Sequence, residues 1–253
     1  MPEHWPIHGF DDLSQMTSLF EAISLRESCR SFASAPSTRQ WNALLAAADT
    51  LALPGVRIAL GMCDTSLFQP FMGLLMKFEN VQRFAAVIVR DDTPAAGVNA
   101  GLAGELLTLS AVADGLAGVW VAGTYKRGSV GFKLAEGEKI VALIPLGAPK
   151  AAPKPPLARK RKELAQICTP NFTDAPLAFR EAARAVQAAP SAMNRQPWLL
   201  AYEPEGTLTV SVKRPGARVD LGIALCHAML ALGRTADGYT LSSDALSARI
   251  TLS

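Results

Sequence analysis

Apolar residues recur at Trp41, Leu44, Leu45 and Ala48 within "PSTRQWNALLAAADT" (36–50), a spacing of three and four that predicts a helix. Two apolar runs, "VRIALGM" (56–62) and "FAAVIVR" (84–90), read as strands. "VNAGLAGELLTLSAVADGLAG" (98–118) reads as a long helix of small residues that must be buried on several sides. It should end at its glycines, where a left-handed cap costs little. "VWVAGTY" follows as a loop or short strand, and "KIVALIPLGAP" (139–149), apolar without alternation, as a buried strand. Residues 148–163, "APKAAPKPPLARKRKE", hold four prolines and six basic residues and should form an extended, mostly exposed connection.

Beyond it the same order restarts. An alanine-rich helix "APLAFREAARAVQAAP", strands "PWLLAYEP" and "LTVSVKR", a small-residue helix "DLGIALCHAMLALGR" and a last strand near "ARITLS" follow in turn. "GLAGELLTLSA" aligns with "DLGIALCHAML", which makes a two-copy internal repeat; the alternative is that two alanine-rich helices resemble each other by composition alone. The repeat divides the chain into halves 1–157 and 158–253 that together form one globular unit.

Composition narrows the partners. The 253 residues are 49% hydrophobic and 19% charged, enough for a sizeable core, and 25 Lys plus Arg against 22 Asp plus Glu leave no global polyanion signature. Any anion site must come from clustered arginines. Cys29, Cys63, Cys168 and Cys226 lie far apart with no C-x-x-C and read as reduced thiols. The first residues lack a secretory pattern, and no window reaches the roughly 18 uninterrupted apolar residues of a membrane span, so a cytoplasmic protein is expected. His4, His8 and His227 are too scattered for a metal site, and His227, inside an apolar helix, reads as a satisfied core residue. There is no G-x-S-x-G, P-loop or H-E-x-x-H.

Four stretches could carry chemistry. In "SLRESCRSF" (24–32), Arg26, Ser28 and Arg30 fall on one side only if the backbone is extended or turning, where two guanidinium forks and a hydroxyl suit a phosphate. The alternative is a solvated helix end whose cations favour the C-terminal dipole. In "APSAMNRQPW" (189–198), Ser191, Asn194 and Gln196 offer donors and acceptors for a planar heterocycle, Pro190 and Pro197 stiffen the loop, and Trp198 anchors it; the alternative is an ordinary helix stop. In "GLAGVWVAGTY" (115–125), Gly118, Gly123 and Thr124 could let the backbone approach a ligand. Most charges of "ARKRKE" (158–163) are expected in solvent, with one or two within reach of a phosphate.

Together, "LRESCRSF", "APSAMNRQPW", "DGLAGVWVAGT" and "LIPLGAPK" followed by "ARKRKELAQI" resemble the nitroreductase family of FMN-dependent oxidoreductases, over residues 22 to about 232. The resemblance implies an α+β fold, an α/β/α sandwich, and a flavin site shared between two subunits. Here Arg-x-Ser-x-Arg lies only in the first half and "APSAMNRQPW" only in the second, so the chain resembles a fused pseudo-dimer of the tandem-repeat branch with one competent site. Carried over residue by residue, Arg26, Ser28 and Arg30 would bind the FMN phosphate and ribityl chain, with Arg159 or Arg161 closing over the phosphate. Pro190, Ser191 and Asn194 would meet the isoalloxazine ring, and Gly123 and Thr124 would present backbone to it. The implied activity is ping-pong: NADH or NADPH donates hydride, and a nitroaromatic or quinone accepts it. No protein nucleophile and no metal are needed. The implied partner is a small-molecule electron acceptor rather than nucleic acid or membrane, and the fused chain would act as a monomer, although further dimerisation is not forbidden. The rival expectation is a flavin or small-ligand binding module of the same fold without turnover.

Overall fold

The computed structural model describes residues 13–68, 77–203, 206–233 and 236–252. His4, His8 and the N-terminal stretch to Asp12 lie outside the described residues, as do Pro204, Arg234 and Ser253 at the ends of predicted segments.

In the first half, α1 (Leu13–Leu25) leads through β1 (Phe32–Ser34) into α2 (Thr38–Thr50), and β2 (Val56–Met62) and β3 (Arg83–Val89) follow. The long helix α3 (Pro94–Ala113) then precedes β4 (Ala117–Gly118) and β5 (Lys139–Pro149). Helix α2 opens with a capping box, in which Ser37 Oγ accepts from the Gln40 N–H and the Gln40 side chain accepts from the Ser37 N–H. Helix α3 begins earlier than its small-residue run, because Thr93 caps the Ala96 N–H and Pro94 takes the first turn, where its missing N–H costs nothing. It ends at Asp114, and Gly115 takes the left-handed conformation (φ 79°) that the glycines predicted.

The second half runs α4 (Leu164–Ile167), α5 (Leu177–Ala188), β6 (Trp198–Glu203), β7 (Thr207–Val212), α6 (Arg218–Leu232), β8 (Ala236–Leu241) and β9 (Ser247–Leu252). Among the described residues every ladder between these strands is antiparallel. One sheet has the order β1-β5-β3-β2, with β4 also on β5, and the other has β6-β7-β9-β8.

Ala85, Val87 and Val89 of β3 pack with the helices, but the opposite face, Phe84, Ala86 and Ile88, packs on Leu67, Phe68, Tyr125 and Val130, which belong to loops and short 3-10 turns. In the other sheet Trp198, Leu200, Leu208 and Val210 join the helical core, while Leu199 and Arg249 face outward. Among the described residues α3 packs on the first sheet, α6 packs on the second, and the two helices pack on each other. The physical reason is that α3 and α6 are apolar all round and have no polar face to offer solvent. Pro94–Ala113 and Pro215–Leu232 are long and apolar enough to cross a membrane, yet 83% and 72% of those windows are buried here, so their apolar surface is spent on the core.

Where α3 crosses α6 the backbones touch. A Cβ added to Gly101 would collide with the Val219 carbonyl, and one on Gly222 with the Val98 carbonyl, so each glycine faces the counterpart of its own neighbour. Buried Asn99 donates to the Pro54 carbonyl, behind α2, and Asp220 accepts from the Ala192 N–H, behind α5. The contact thus matches Gly101 with Gly222, a register shifted from the sequence alignment, which set Gly101 against Asp220. Helix α1 packs on α3 and also on α5 and α6, joining the N-terminal segment to the second half.

Candidate functional site

The segment after α1 resolves the two readings of "LRESCRSF". Arg26 N–H still donates to Ala22, as in a helix, but Ser28 then bridges Gly118 and Cys29 N–H donates to the Gly118 carbonyl. The backbone is extended from Ser28 on, and Arg26, Ser28 and Arg30 line one cavity of about 410 Å³. Arg159, Arg161 and Asn194 line it too, so the arginines of the first half and the amide of the second meet. Lys154 and Lys160 add positive charge, with Glu27 as the acid at the rim, its carboxylate accepting from the Lys154 N–H.

The cavity is rich in guanidinium nitrogens with nothing to donate to. Arg26 is 2% exposed, and its Nε and Nη1 have no hydrogen-bond partner; buried Nε atoms of Arg30 and Arg161 also lack one. Burial pushes the Arg26 pKa down, against the pull of the Glu105 carboxylate. Burial likewise pushes Arg161 down to about 10, and the positive charges of Arg26 and Arg159 push the same way. An anion would relieve both strains at once by supplying acceptors and a counter-charge.

Arg159 and Arg161, which sequence could not tell apart, have different jobs. Arg159 spends all three nitrogens on carbonyls: Nε and Nη2 on Lys154, Nη1 on Arg26 and Nη2 also on Ser24. It ties down the carbonyls at the end of α1. Arg161 donates through Nη1 to Asn194 Oδ1 and the Lys160 carbonyl and through Nη2 to the Ala188 carbonyl, and its buried Nε has no hydrogen-bond partner. Lys162 donates through Nζ to the Gln196 carbonyl. The expectation that most charges of "ARKRKE" lie in solvent is therefore corrected: three of them turn inward because the carbonyls of α1, α5 and the 189–198 loop need donors.

That loop is stapled to the basic segment 158–163. Ser191 Oγ accepts from the Gln196 N–H at 2.8 Å, Asn194 Nδ2 donates to the Lys160 carbonyl at 3.0 Å, and Gln196 Oε1 accepts from the Lys162 N–H at 2.9 Å. Met193, Asn194 and Gln196 adopt positive φ (53°, 54° and 47°), a conformation that costs side-chain-bearing residues energy and persists only where the surroundings impose it. Trp198 is buried in the core, and Pro190 is buried as well. Of this loop, among the described residues, Asn194 alone reaches the cavity lining; Pro190 and Ser191 do not. Gly123 (φ 84°) is exposed, and both it and Thr124 lie outside the lining.

Sequence reading passed over Glu105. It sits fully buried on α3, where Oε2 accepts from Trp120 Nε1 at 2.8 Å and Oε1 lies 3.0 Å from His227 Nε2 and 4.0 Å from Arg26 Nε. The available signal was a lone acid in an apolar helix, which demands a partner when buried. His227 is the satisfied core residue that its setting suggested, with Nδ1 2.8 Å from the Ala185 carbonyl. No group of His, Cys, Asp and Glu able to hold a metal occurs among the described residues.

Fold and site together define an α+β protein with two antiparallel sheets, a helical core and a solvent-open cavity lined by Arg26, Arg30, Arg159 and Arg161. Residues 18–232 match the model of the family described as "Putative TM nitroreductase", and the chain belongs to that family. Among solved structures it is similar to a "putative nitroreductase" from Thermotoga maritima MSB8, with a TM-score of 0.66 and 22% identity, covering 92% of this chain and 93% of that one; this likeness establishes the fold. It is also similar to an FMN-dependent nitroreductase from Clostridium difficile R20291 (TM-score 0.42, 15% identity, 53% of this chain and 89% of that one). A third is the NADPH:FMN oxidoreductase from Vibrio harveyi complexed with NAD+ (TM-score 0.43, 18% identity, 59% and 75%). No curated protein matches the chain.

Proposed function

We propose that the chain is an FMN-dependent oxidoreductase that uses NADH or NADPH to reduce an electron-poor acceptor of the nitroaromatic or quinone class. The observation that carries this reading is the set of buried, unpartnered guanidinium nitrogens of Arg26, Arg30 and Arg161 around one cavity. They fit a phosphate monoester, which brings several acceptor oxygens and a charge of about −2. Family membership supports the oxidoreductase class.

In this reading Arg26, Arg30 and Arg161 bind the FMN phosphate, and Ser28 donates its hydroxyl beside them. Arg159 holds the end of α1 so that Arg26 faces the cavity. Asn194, Pro190 and Ser191 would serve the isoalloxazine ring, and Gly123 and Thr124 would offer it backbone N–H groups. Bound FMN would supply the two-electron chemistry, accepting hydride from the nicotinamide and passing it to the acceptor in ping-pong order. The protein then needs no nucleophile of its own; its work is to orient, to shield from water and to balance charge.

The same reading makes the chain a fused pseudo-dimer of halves 1–157 and 158–253, active as a monomer. The reciprocal placing of Gly101 and Gly222 and the matching strand orders of the two sheets support it. A cytoplasmic setting fits Cys29, Cys63, Cys168 and Cys226, which are all free thiols. A second reading, flavin binding without turnover, is favoured by Asn194, whose amide is spent on Lys160 and Arg161. One preparation separates the two. The purified protein should show an oxidised-flavin spectrum, release FMN on denaturation and be bleached anaerobically by NADH or NADPH. A flavin that neither nucleotide bleaches supports the second reading, and a colourless protein that FMN does not reconstitute overturns both.

A further inference from the structure

Behind the cavity-lining Arg26 lies a buried acid, Glu105, at ion-pair distance and without a hydrogen bond to it. We propose that Glu105 is the positioning residue of the anion site: it balances the Arg26 charge at ion-pair distance while leaving the Arg26 donors free for the ligand, an inference that rests on reading the cavity as a phosphate site.

A carboxylate that meets an arginine usually closes a two-pronged fork at about 2.7–2.9 Å. Here the nearest approach, Arg26 Nε to Glu105 Oε1, is 4.0 Å, and neither Nε nor Nη1 of Arg26 has a hydrogen-bond partner. The carboxylate stands off because other donors hold it. Trp120 Nε1 donates to Oε2, and His227 Nε2 lies against Oε1. His227 Nδ1 in turn lies 2.8 Å from the Ala185 carbonyl, which can only accept, so the ring is fixed in place from both sides. Five elements thereby locate one carboxylate: the end of α1 (Arg26), α3 (Glu105), the segment after β4 (Trp120), α5 (Ala185) and α6 (His227). The arrangement does two things that usually conflict. It compensates a charge that burial penalises, and it keeps that charge's donors unspent.

A bystander acid and a positioning acid predict opposite signs. By Coulomb's law alone, removing a negative charge beside a cationic cavity strengthens anion binding. If Glu105 positions Arg26, removing its charge weakens anion binding, because the buried guanidinium loses its compensation and its place. The test is the ratio of FMN to riboflavin affinity, which isolates the phosphate end from the ring end. In Glu105→Gln that ratio should fall about ten-fold, the scale of one charge-assisted contact, with riboflavin affinity retained. In an Arg26→Ala background the same substitution should change the ratio no further. An unchanged or increased ratio in Glu105→Gln overturns the proposal while leaving the phosphate site intact. A wild-type protein that binds FMN no better than riboflavin overturns the phosphate reading and the proposal with it. Should Glu105→Gln not fold, Trp120→Phe removes only the donor at Oε2 and is expected to lower the ratio in the same direction; no decrease there overturns the proposal.

Discussion

Asn194 Oδ1 accepts a hydrogen bond from Arg161 Nη1 at 3.0 Å, joining the loop that follows α5 to the basic segment 158–163 beside the arginine cavity. The bond means that the ring end and the phosphate end of the proposed ligand site are mechanically one piece. Asn194→Ala should therefore weaken riboflavin binding and also reduce the FMN preference, about two- to five-fold, by freeing Arg161. Fluorescence-quenching titrations with both flavins measure it.

Arg26 and Arg30 carry the simplest prediction. If each makes a charge-assisted phosphate contact, replacing either by alanine should weaken FMN binding by about 1.5–3 kcal/mol, one to two decades in Kd. Calorimetric titration of the single and double variants checks it, and unchanged affinity in the double variant removes the phosphate assignment.

Arg159 and Arg161 should separate cleanly. Arg159 is bonded to the carbonyls of Ser24, Arg26 and Lys154, so Arg159→Ala should cost about 1–3 kcal/mol of stability in urea unfolding and change the FMN to riboflavin ratio little. Arg161→Ala should lower that ratio, and because Arg161 also donates to Asn194 and the Ala188 carbonyl it should lose stability as well.

Acid stability has an identifiable contributor far from the cavity. Arg57 Nε and Nη2 fork onto Glu138, whose carboxyl is held down to about 2, first by Arg57 and then by the Ala135 N–H. A depressed carboxyl favours the folded state above its unfolded pKa of about 4.3, and that contribution is lost as pH falls toward about 2. Glu138→Gln should lower stability at neutral pH and flatten the decline between about pH 4 and pH 2, as read by denaturant midpoints across that range.

The helix crossing should be intolerant of even one methyl group. Gly101→Ala and Gly222→Ala each drive a Cβ into a backbone carbonyl that cannot rotate away, so each should cost at least about 1–3 kcal/mol, measured by urea unfolding. Gly128→Ala, with open space around it, is the control.

Much of this was legible residue by residue. The spacing of Trp41, Leu44 and Ala48 announced α2, and the unbroken apolar runs announced β3 and β5, because burial on a fixed period is a local property. Layer order was not legible, since an all-apolar helix declares that it is buried without saying between what. Leu19, Ala22 and Ile23 of α1 show a helical spacing of their own, which became meaningful only with α3, α5 and α6 beside them. Arg26, Ser28 and Arg30 were legible as a cradle once extended. Asn194 was legible as functional, but its partners Lys160 and Arg161 are set by tertiary contact, as is the stand-off between Glu105 and Arg26.

The glycine crossing bears on how this protein could change over time or in the laboratory. Glu105 follows Gly101 by one helical turn, and His227 follows Gly222 by little more, so their separation is gauged by main chain against main chain. Side-chain swaps elsewhere in the interior can be absorbed by repacking without moving that gauge. Variation therefore has freedom on the outward faces of the sheets and in the loops, while two hydrogen-sized positions at the centre stay closed to it.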